Sequence, residues 1–381
     1  VGIVAAVGSL VTGFQIGDRV VSNSPHSEFV ISYPHLCSHI PADVSDECAS
    51  FTVLGAIGLQ GIRLIQPTLG ETFLVSGLGL IGLLTAQLLV AHGCCVLGID
   101  PDPDKCDLAE RLSIKSLNLS TGRDPVAWCL EQTGGIGVDG AVITAATSST
   151  EPVHVAARSC RQRGRIVLVG VTGLDLRRDL FYKKELSFQV SCSYGPGRYD
   201  PSYEKEGHDY PIGFVRWTEQ RNFNAVLHAL SVGSLATELL ITHRFPIDNV
   251  AASYELLSGP ESSLGILLQY SNTSDPSQRT IALNNDAFIQ SSTLSGSPRL
   301  SIIGSGNYSR RILIPSFSKA GAQFYSIVAT SGAGPVHVGR KFGFNQASTD
   351  HTALLDDQAF SAVVIATRHD SHAHLVTQFL S

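Results

Sequence analysis

The pattern of hydrophobic and polar positions changes several times along the chain. Residues 1–50 hold short apolar runs between glycines and polar residues, which predicts a β-rich segment with strands over 1–8, 19–21 and 28–31. Residues 52–66 carry apolar positions at helical spacing. From Glu71 onward, short apolar runs alternate with helical patterns, which predicts a parallel sheet covered by helices on both faces.

The alternating part can be divided into individual elements. We predict strands over 72–76, 94–99, 138–145, 165–169, 186–191, 239–244 and 265–270, and helices over 80–92, 104–112, 152–160, 222–232 and 250–257. Residues 193–221 have no clean period and are dense in Tyr, Gly, Pro and charged residues, which indicates a long loop or a functional insert.

A second alternating pattern follows a polar stretch. Residues 271–298 are rich in Ser, Asn, Thr and Pro and predict an exposed linker, with 280–283 as one further strand. After it we predict strands over 300–303, 324–329 and 361–367, and helices over 308–319, 335–342 and 371–380. The chain therefore contains two separate βαβ starts.

Composition narrows the classes of protein. The 381 residues are 43% hydrophobic and 16% charged with a net charge of -6, which favours two globular domains and argues against nucleic-acid or membrane-surface binding. Eight scattered cysteines without a Cys-x-x-Cys pair suit a reducing, cytoplasmic compartment. The chain contains no Met and ends inside a helical pattern, so we expect a fragment of a longer protein.

The first βαβ start contains a glycine-rich turn between strand and helix. In it Gly77 permits the tight turn, Gly79 leaves room for a pyrophosphate, and Gly82 permits close packing of helix on strand. Asp100 ends the next strand, where a carboxylate binds the adenosine ribose and repels a 2′-phosphate, which favours NAD over NADP. The alternative is a glycine-rich turn that binds no ligand. The complete cofactor set predicted for this module is Gly77, Gly79, Leu80, Ile81, Gly82, Asp100, Thr144 and Gly170.

Three motifs in the first 270 residues carry a family resemblance. They are, in order, Val4-x-x-Val7-Gly8, Phe14-x-x-Gly17-Asp18-Arg19-Val20 and the turn at 77–82. Their order and spacing resemble the medium-chain dehydrogenase/reductase family, which includes zinc alcohol dehydrogenases and quinone reductases. The resemblance implies an N-terminally truncated GroES-like catalytic part over 1–60 and 200–270, and a doubly wound Rossmann dinucleotide-binding domain over 61–199.

The chain departs from the zinc-binding members of that family. The position that matches their third zinc ligand is near Thr52, and Cys48 is close but displaced. Residues 22–28 contain none of the cysteines of a structural-zinc lobe. Since zinc needs three or four ligands in tetrahedral reach, we predict a site without metal.

Without zinc, the reacting carbonyl needs a hydrogen-bond donor. The insert supplies Arg198, Tyr199 and Tyr210, which are our candidate catalytic residues. Tyr, Trp and Arg are also enriched at interfaces, so the alternative is an oligomer contact. A homo-oligomer is expected in either case.

The second βαβ start carries a related turn with Gly304, Gly306 and Asn307, but Ser309 replaces the third glycine. The next strand ends without an acid, so either NAD or NADP is possible there. Together with the run over 363–374, this turn resembles the glucose–fructose oxidoreductase and inositol dehydrogenase family. That resemblance implies a second, C-terminally truncated Rossmann domain over 299–381. It also implies that Thr367 and His372 border the cofactor, although these side chains also fit an exposed helix N-terminus.

The two modules and the insert resemble a bacterial group of bi-domain oxidoreductases linked to sugar metabolism. The predicted function is NAD(P)-dependent hydride transfer to or from a carbonyl or alcohol of a small, sugar-derived molecule. The alternatives are a quinone- or enoyl-reductase-like enzyme and a non-catalytic NAD-binding regulator or scaffold.

Overall fold

The computed structural model describes residues 1–259, 261–271, 278–283, 298–330, 333–355, 357 and 359–380. The chain divides into two compact units, Val1–Asn272 and Thr273–Ser381. Each unit has its own mainly parallel sheet. Within the described residues, no helix is both long and apolar enough to cross a membrane.

The N-terminal part of the first unit is a small antiparallel sheet followed by helices. It consists of β1 Gly2–Ile3, β2 Arg19–Ser22, β3 Cys37–His39, α1 Asp46–Ala49 and α2 Thr52–Ile65. The strand predicted over 28–31 is wrong, because this run does not pair and Ile31 is 95% exposed. The strand predicted over 1–8 shrinks to two residues. An apolar run becomes a strand only where a neighbouring chain supplies hydrogen-bond partners.

The rest of the first unit alternates strands and helices as predicted. Its elements are β4 Thr72–Ser76, α3 Leu80–Ala91, β5 Cys95–Asp100, α4 Pro103–Arg111, β6 Lys115–Asn118, α5 Pro125–Gln132, β7 Val138–Ile143, α6 Glu151–Ser159, β8 Cys160–Leu168, α7 Arg178–Tyr182, β9 Ser187–Val190, α8 Pro201–Glu204, α9 Glu219–Ser231, β10 Ile241–Pro246, α10 Val250–Ser258 and β11 Gly265–Gln269.

Strands β4 to β9 form one six-stranded parallel sheet in the order β6-β5-β4-β7-β8-β9. Strands β10 and β11 pair in parallel as a separate two-stranded sheet. The predicted doubly wound fold is confirmed, because the chain starts at the central strand β4, builds outward to one edge and then returns to the other side. The sequence patterns missed β6 and α5. In β6 only Leu117 is buried, so this edge strand has no apolar run to reveal it.

Helix α2 packs against both α3 and α9 in the first unit. A Cβ added at Gly58 would lie 2.4 Å from Thr85 Oγ1 of α3, and one at Gly55 would lie 2.8 Å from a Val226 methyl of α9. Glycine at these positions lets both neighbouring helices approach the α2 backbone. As a result α9, which follows the insert, is packed against the dinucleotide-binding part.

The second unit is a smaller sheet with helices. Its elements are β12 Thr280–Ala282, β13 Arg299–Ile303, a turn of π-helix Ser309–Leu313, α11 Ile314–Lys319, β14 Gln323–Val328, α12 Ala333–Phe342, β15 Gln346–Ser348, β16 Ala362–Ile365 and α13 His369–Leu380. The strand order is β12-β15-β14-β13-β16, with β12 antiparallel and the others parallel. The strand predicted over 280–283 is present. Residues 272–277 and 284–297 of the predicted linker lie outside the described residues.

Candidate functional site

The predicted cofactor residues of the first unit meet at the carboxyl edge of its sheet. Gly77 follows β4, Asp100 ends β5, Thr144 follows β7 and Gly170 lies just beyond β8. Thr144 Oγ1 donates to the Gly77 carbonyl at 2.6 Å. A Cβ at Gly170 would lie 2.2 Å from the Ala145 carbonyl oxygen, so this strand end packs against the segment that follows β7. In open α/β sheets this edge is where ligands bind.

The turn after β4 has room for no side chain at its first and third glycines. Gly77 has φ +100°, a left-handed conformation that favours glycine. A Cβ at Gly82 would lie 1.9 Å from the Gly77 carbonyl oxygen. The chain therefore closes on itself between β4 and α3, as the glycine spacing predicts.

The middle glycine faces open space. Gly79 is the N-cap of α3, and a Cβ built on it would meet no heavy atom within 4 Å. Leu80 and Ile81 begin this helix, and their N–H groups have no acceptor inside it. The open space and the positive helix end fit the pyrophosphate of a dinucleotide.

Asp100 holds the turn in place, a role that the sequence did not reveal. Its side chain is 6% exposed, and its Oδ2 accepts a hydrogen bond from the Leu78 N–H at 2.7 Å. Oδ1 accepts from the Asp102 N–H at 2.9 Å. The carboxylate is therefore fixed against the turn by backbone donors, at the strand end where dinucleotide-binding sheets contact a ribose.

The turn of the second unit opens in the same way. Gly304 has φ +111°, and a Cβ on it would lie 2.4 Å from the Ala366 carbonyl oxygen. Gly306 faces open space. Asn307 Oδ1 accepts hydrogen bonds from the Arg310 guanidinium.

The two residues carried over by resemblance contact each other. His372 Nε2 lies 3.0 Å from the carbonyl oxygen of Thr367, and Ser371 Oγ lies 2.7 Å from Thr367 Oγ1. The Cβ position of Gly304 lies 3.0 Å from the Thr367 N. The fold thus brings Gly304, Thr367 and His372 to one end of this sheet.

Ser309 changes the start of the helix after the second turn. Its side chain is buried, and its hydroxyl has no partner among the described residues. The helix begins with one wide turn, Ser309–Leu313, before α11. Single π-helical turns of this kind are uncommon and occur mostly within or beside α-helices.

The three candidate catalytic residues in the insert differ in whether the polar group of the side chain already has a hydrogen-bond partner. Arg198 Nη1 donates to Glu204 Oε1 at 2.7 Å, and the Tyr210 hydroxyl donates to Asp200. Hydrogen bonding to Asp200 raises the pKa of Tyr210 to about 12, with burial as a smaller cause. Tyr199 is 70% exposed, has φ +68°, and its hydroxyl has no hydrogen-bond partner within the part of the chain that the structure describes.

Glu219 is a buried acid that sequence reasoning did not select. It is the first residue of α9, is 0% exposed, and neither carboxyl oxygen has a partner among the described residues. Burial, with a smaller contribution from the charge of Glu204, raises its pKa to about 8, and the charge of Arg198 opposes both. A charged residue at a helix start usually faces water, so only the fold shows that this one is buried.

The residues near the expected zinc position do not fit a metal. Thr52 Oγ1 donates to the Ala49 carbonyl at 2.7 Å, and Cys48 Sγ donates to Glu238 Oε1 at 3.1 Å. Across the described ranges, no group of three His, Cys, Asp or Glu side chains is placed to hold a metal ion. A zinc ion would need more ligands than this place offers.

Comparisons with known proteins agree with the fold and the turn. Residues 81–205 match the family described as zinc-binding dehydrogenase. D-guloside 3-dehydrogenase from Escherichia coli (strain K12) is 27% identical over 264 residues, which is 67% of this chain and 71% of that protein. The first unit is therefore similar to zinc-type alcohol dehydrogenases. The predicted oxidoreductase class is thereby confirmed, and the bi-domain grouping stays a prediction.

A highly reducing polyketide synthase from Penicillium roqueforti (strain FM164) is 32% identical over 179 residues, 44% of this chain. The chain spans only 8% of that protein's length.

Two solved structures share the fold. One is described as a zinc-binding dehydrogenase from Sinorhizobium meliloti 1021 bound to NADP, with TM-score 0.55 and 19% identity over 70% of this chain and 81% of that chain. The other is an alcohol dehydrogenase from E. coli CFT073 with NADH, with TM-score 0.55 and 22% identity over 70% and 80%.

Proposed function

We propose that the first unit binds NAD at its glycine-rich turn and transfers hydride between the nicotinamide and a carbonyl or alcohol. The observation that carries this proposal is the open face of Gly79 at the start of the buried helix α3. A backbone without side chains at a helix N-terminus is what a pyrophosphate requires. The similarity to D-guloside 3-dehydrogenase supports a sugar-derived substrate.

The preference for NAD rests on Asp100. Its carboxylate lies at the end of β5, fixed by the Leu78 and Asp102 N–H groups. A fixed negative charge there accepts hydrogen bonds from ribose hydroxyls and repels a 2′-phosphate. Structures of related dehydrogenases hold either NADH or NADP, so this residue is the basis for choosing between them.

In this proposal the nicotinamide supplies or accepts the hydride, and the protein binds, orients and donates the proton. The Leu80 and Ile81 N–H groups bind the pyrophosphate, while Thr144 and Gly170 border the cofactor at the sheet edge. Tyr199 is the preferred proton donor of the three candidates, because Arg198 and Tyr210 are already bonded to acids. The Arg198 guanidinium carbon lies 4.0 Å from the Tyr199 ring centroid. No step in this proposal uses zinc, since Thr52 and Cys48 are committed elsewhere.

We further propose that the second unit is a second dinucleotide module of the glucose–fructose oxidoreductase type. Gly304, Gly306 and Asn307 would bind the pyrophosphate, and Thr367 and His372 would border the cofactor. The contacts between Gly304 and the Thr367 segment support this arrangement. Either NAD or NADP is compatible with a second strand that ends in Val328 without an acid. The alternative role for the insert over 193–221 is a contact between subunits of a homo-oligomer.

A second candidate function is reduction of a carbon–carbon double bond, as in enoyl or quinone reductases. The similarity to a highly reducing polyketide synthase favours it. A substrate panel separates the two enzymes: polyols and sugar alcohols for the first, and enones and quinones for the second. Turnover of neither class would favour a non-catalytic NAD-binding scaffold.

Calorimetric titration with NADH and NADPH tests the proposal. We expect NADH to bind more tightly than NADPH, and Gly79→Val to abolish binding to the first unit without changing the unfolding temperature, because no protein atom meets the new side chain. Gly306→Val is the matched control in the second unit and should leave the first site intact. Equal binding by the wild type and Gly79→Val would refute the assignment. Tyr199→Phe should lower turnover and spare cofactor affinity, whereas a loss of affinity would make it a binding residue.

A further inference from the structure

Trp217, at the end of the insert, lies against two arginines. The Arg63 guanidinium carbon is 3.4 Å from the centroid of the indole, and the Arg216 guanidinium carbon is 3.9 Å from it. The two positive groups therefore lie no farther apart than the sum of these distances. Cation–π contact accounts for one guanidinium on a tryptophan, but a second brings like charges together.

No acid compensates this pair. Within the described ranges, neither Arg63 nor Arg216 has a carboxylate within ion-pair distance. The acids of the insert are engaged elsewhere: Glu204 with Arg198, Asp209 with Arg221, Glu206 with His208, and Asp200 with Tyr210 and the Ser202 N–H. Glu219 is buried, and this burial raises its pKa and disfavours its charged form. The insert thus leaves two cations together without a counter-charge.

A hydrogen bond to Asn222 positions the Arg63 side chain. Arg63 lies in the last turn of α2, and its Nε donates to Asn222 Oδ1 at 2.7 Å. Asn222 Nδ2 in turn donates to the Tyr194 carbonyl at 2.8 Å. Burial lowers the pKa of Arg63 to about 10, and the charge of Arg216 is the second cause.

The terminal amino groups of the Arg63 guanidinium are available to a ligand. They have no acceptor in the described part of the chain, and they are not among the enclosed atoms that lack partners. The indole fixes the plane of the guanidinium, and Asn222 fixes its Nε edge. The protein therefore presents a rigid pair of N–H donors beside a second guanidinium.

We propose that Arg63, Arg216 and Trp217 form a binding site for the oxyanion of a small molecule, either a phosphate or a carboxylate. A planar guanidinium fork matches such oxyanions with two parallel hydrogen bonds. An anion between two arginines would remove the repulsion that the free site carries. The site stands on its own contacts and does not depend on the proposed dehydrogenase activity.

Tryptophan fluorescence gives a direct test, because the chain contains only Trp128 and Trp217. Trp128 lies in the core of the first unit, where phenylalanine can replace it as an apolar side chain. The variant Trp128→Phe then contains Trp217 as its one tryptophan, and the fluorescence reports on the site. Titration with inorganic phosphate at constant ionic strength, set with sodium chloride, should give a saturable signal. A linear response, or the same response to chloride alone, would overturn the proposal.

Variants at the site separate binding from folding. Arg63→Gln and Arg216→Gln should each weaken phosphate binding by about tenfold or more, since each loses a charge-assisted interaction. Arg63→Lys should bind more weakly than the wild type and more tightly than Arg63→Gln, because it keeps the charge but loses the fork. Arg178→Gln is the matched control: Arg178 lies 4.1 Å from the Tyr182 ring centroid, and its loss should not affect binding.

If Arg63→Gln fails to fold, the exposed Arg216→Gln decides the question. Unchanged phosphate affinity in folded Arg216→Gln would overturn the site. Glucose 6-phosphate compared with glucose then identifies the source of the anion. Tighter binding of glucose 6-phosphate than of inorganic phosphate supports the charged group of a larger molecule, and equal binding supports a free oxyanion.

Discussion

The glycine-rich turns of the two units open alike and are secured differently. Both begin with a glycine at positive φ, and both present a second glycine to open space. In the first unit Asp100 accepts from the Leu78 N–H, and Gly82 packs directly on Gly77. In the second unit the next strand ends without an acid, and Ser309 occupies the place of the third glycine.

The difference shows that the glycines leave room for a ligand at the turn. Other residues decide how rigid the turn is and which dinucleotide it favours. Asp100 acts on the turn through the backbone and would act on a cofactor through its free lone pairs. The helix after the second turn instead begins with a π-helical turn that contains a buried hydroxyl, that of Ser309. A glycine motif therefore predicts a dinucleotide-shaped turn more firmly than it predicts which dinucleotide binds.

The largest expected effect is at the third position of the first turn. Gly82→Ala should prevent the first unit from folding stably, because the new Cβ would lie 1.9 Å from the Gly77 carbonyl oxygen. Tryptophan fluorescence follows this unit alone, since both tryptophans lie in it. A native-like unfolding transition in Gly82→Ala would mean that the turn is not as tight as described.

Removal of the anchoring acid should have a smaller effect. Asp100→Ala leaves the Leu78 and Asp102 N–H groups without an acceptor and should lower the free energy of unfolding by about 1–3 kcal/mol. It should also raise NADPH affinity relative to NADH. Asp102→Ala, which removes the cap of α4 and the ion pair with Lys105 but leaves Asp100 in place, is the control and should leave the NADH-to-NADPH ratio unchanged. An unchanged ratio in Asp100→Ala would contradict the role given to the acid.

The stability of the first unit should depend on pH more strongly than that of the second unit. Glu219 has a folded-state pKa of about 8 against 4.5 for the free side chain, so its stabilising contribution is complete below pH 4.5 and is lost as the pH rises through 8. Among the described residues of the second unit, the buried side-chain polar atoms without partners are serine hydroxyls, which do not titrate in this range. Wild-type stability of the first unit should therefore fall between pH 5 and pH 9 more than that of Glu219→Gln, measured by urea unfolding with fluorescence. Parallel pH profiles would show that Glu219 is already solvated.

The smallest effect is expected at the matching position of the second turn. Ser309→Ala removes a buried hydroxyl that has no partner and keeps the volume of the Cβ, so it should stabilise the second unit by about 1 kcal/mol or less. Hydrogen exchange of residues 299–330 reports on that unit. Faster exchange would indicate that the hydroxyl has a partner, such as ordered water, that matters for stability.

The sequence by itself determined the central strands of the two parallel sheets and the two glycine-rich turns. Apolar runs and helical spacing located the central strands, because a fully buried strand must be apolar throughout. The glycine spacing at 77–82 and 304–309 placed two turns correctly, because positive φ and close packing leave few other residues possible. The place of Asp100 at the end of β5 was predicted in the same way, while its contact with a cofactor stays a prediction.

Only the tertiary structure decided how polar residues far apart in sequence combine. The polar edge strand β6 is defined by its pairing with β5. Arg63 and Trp217 are 154 positions apart and meet because α9 packs on α2. The burial of Glu219 and the anchoring role of Asp100 likewise depend on backbone and side chains from other segments. Local patterns carry no information about such contacts, since the same residue is solvated or buried according to what the fold places against it.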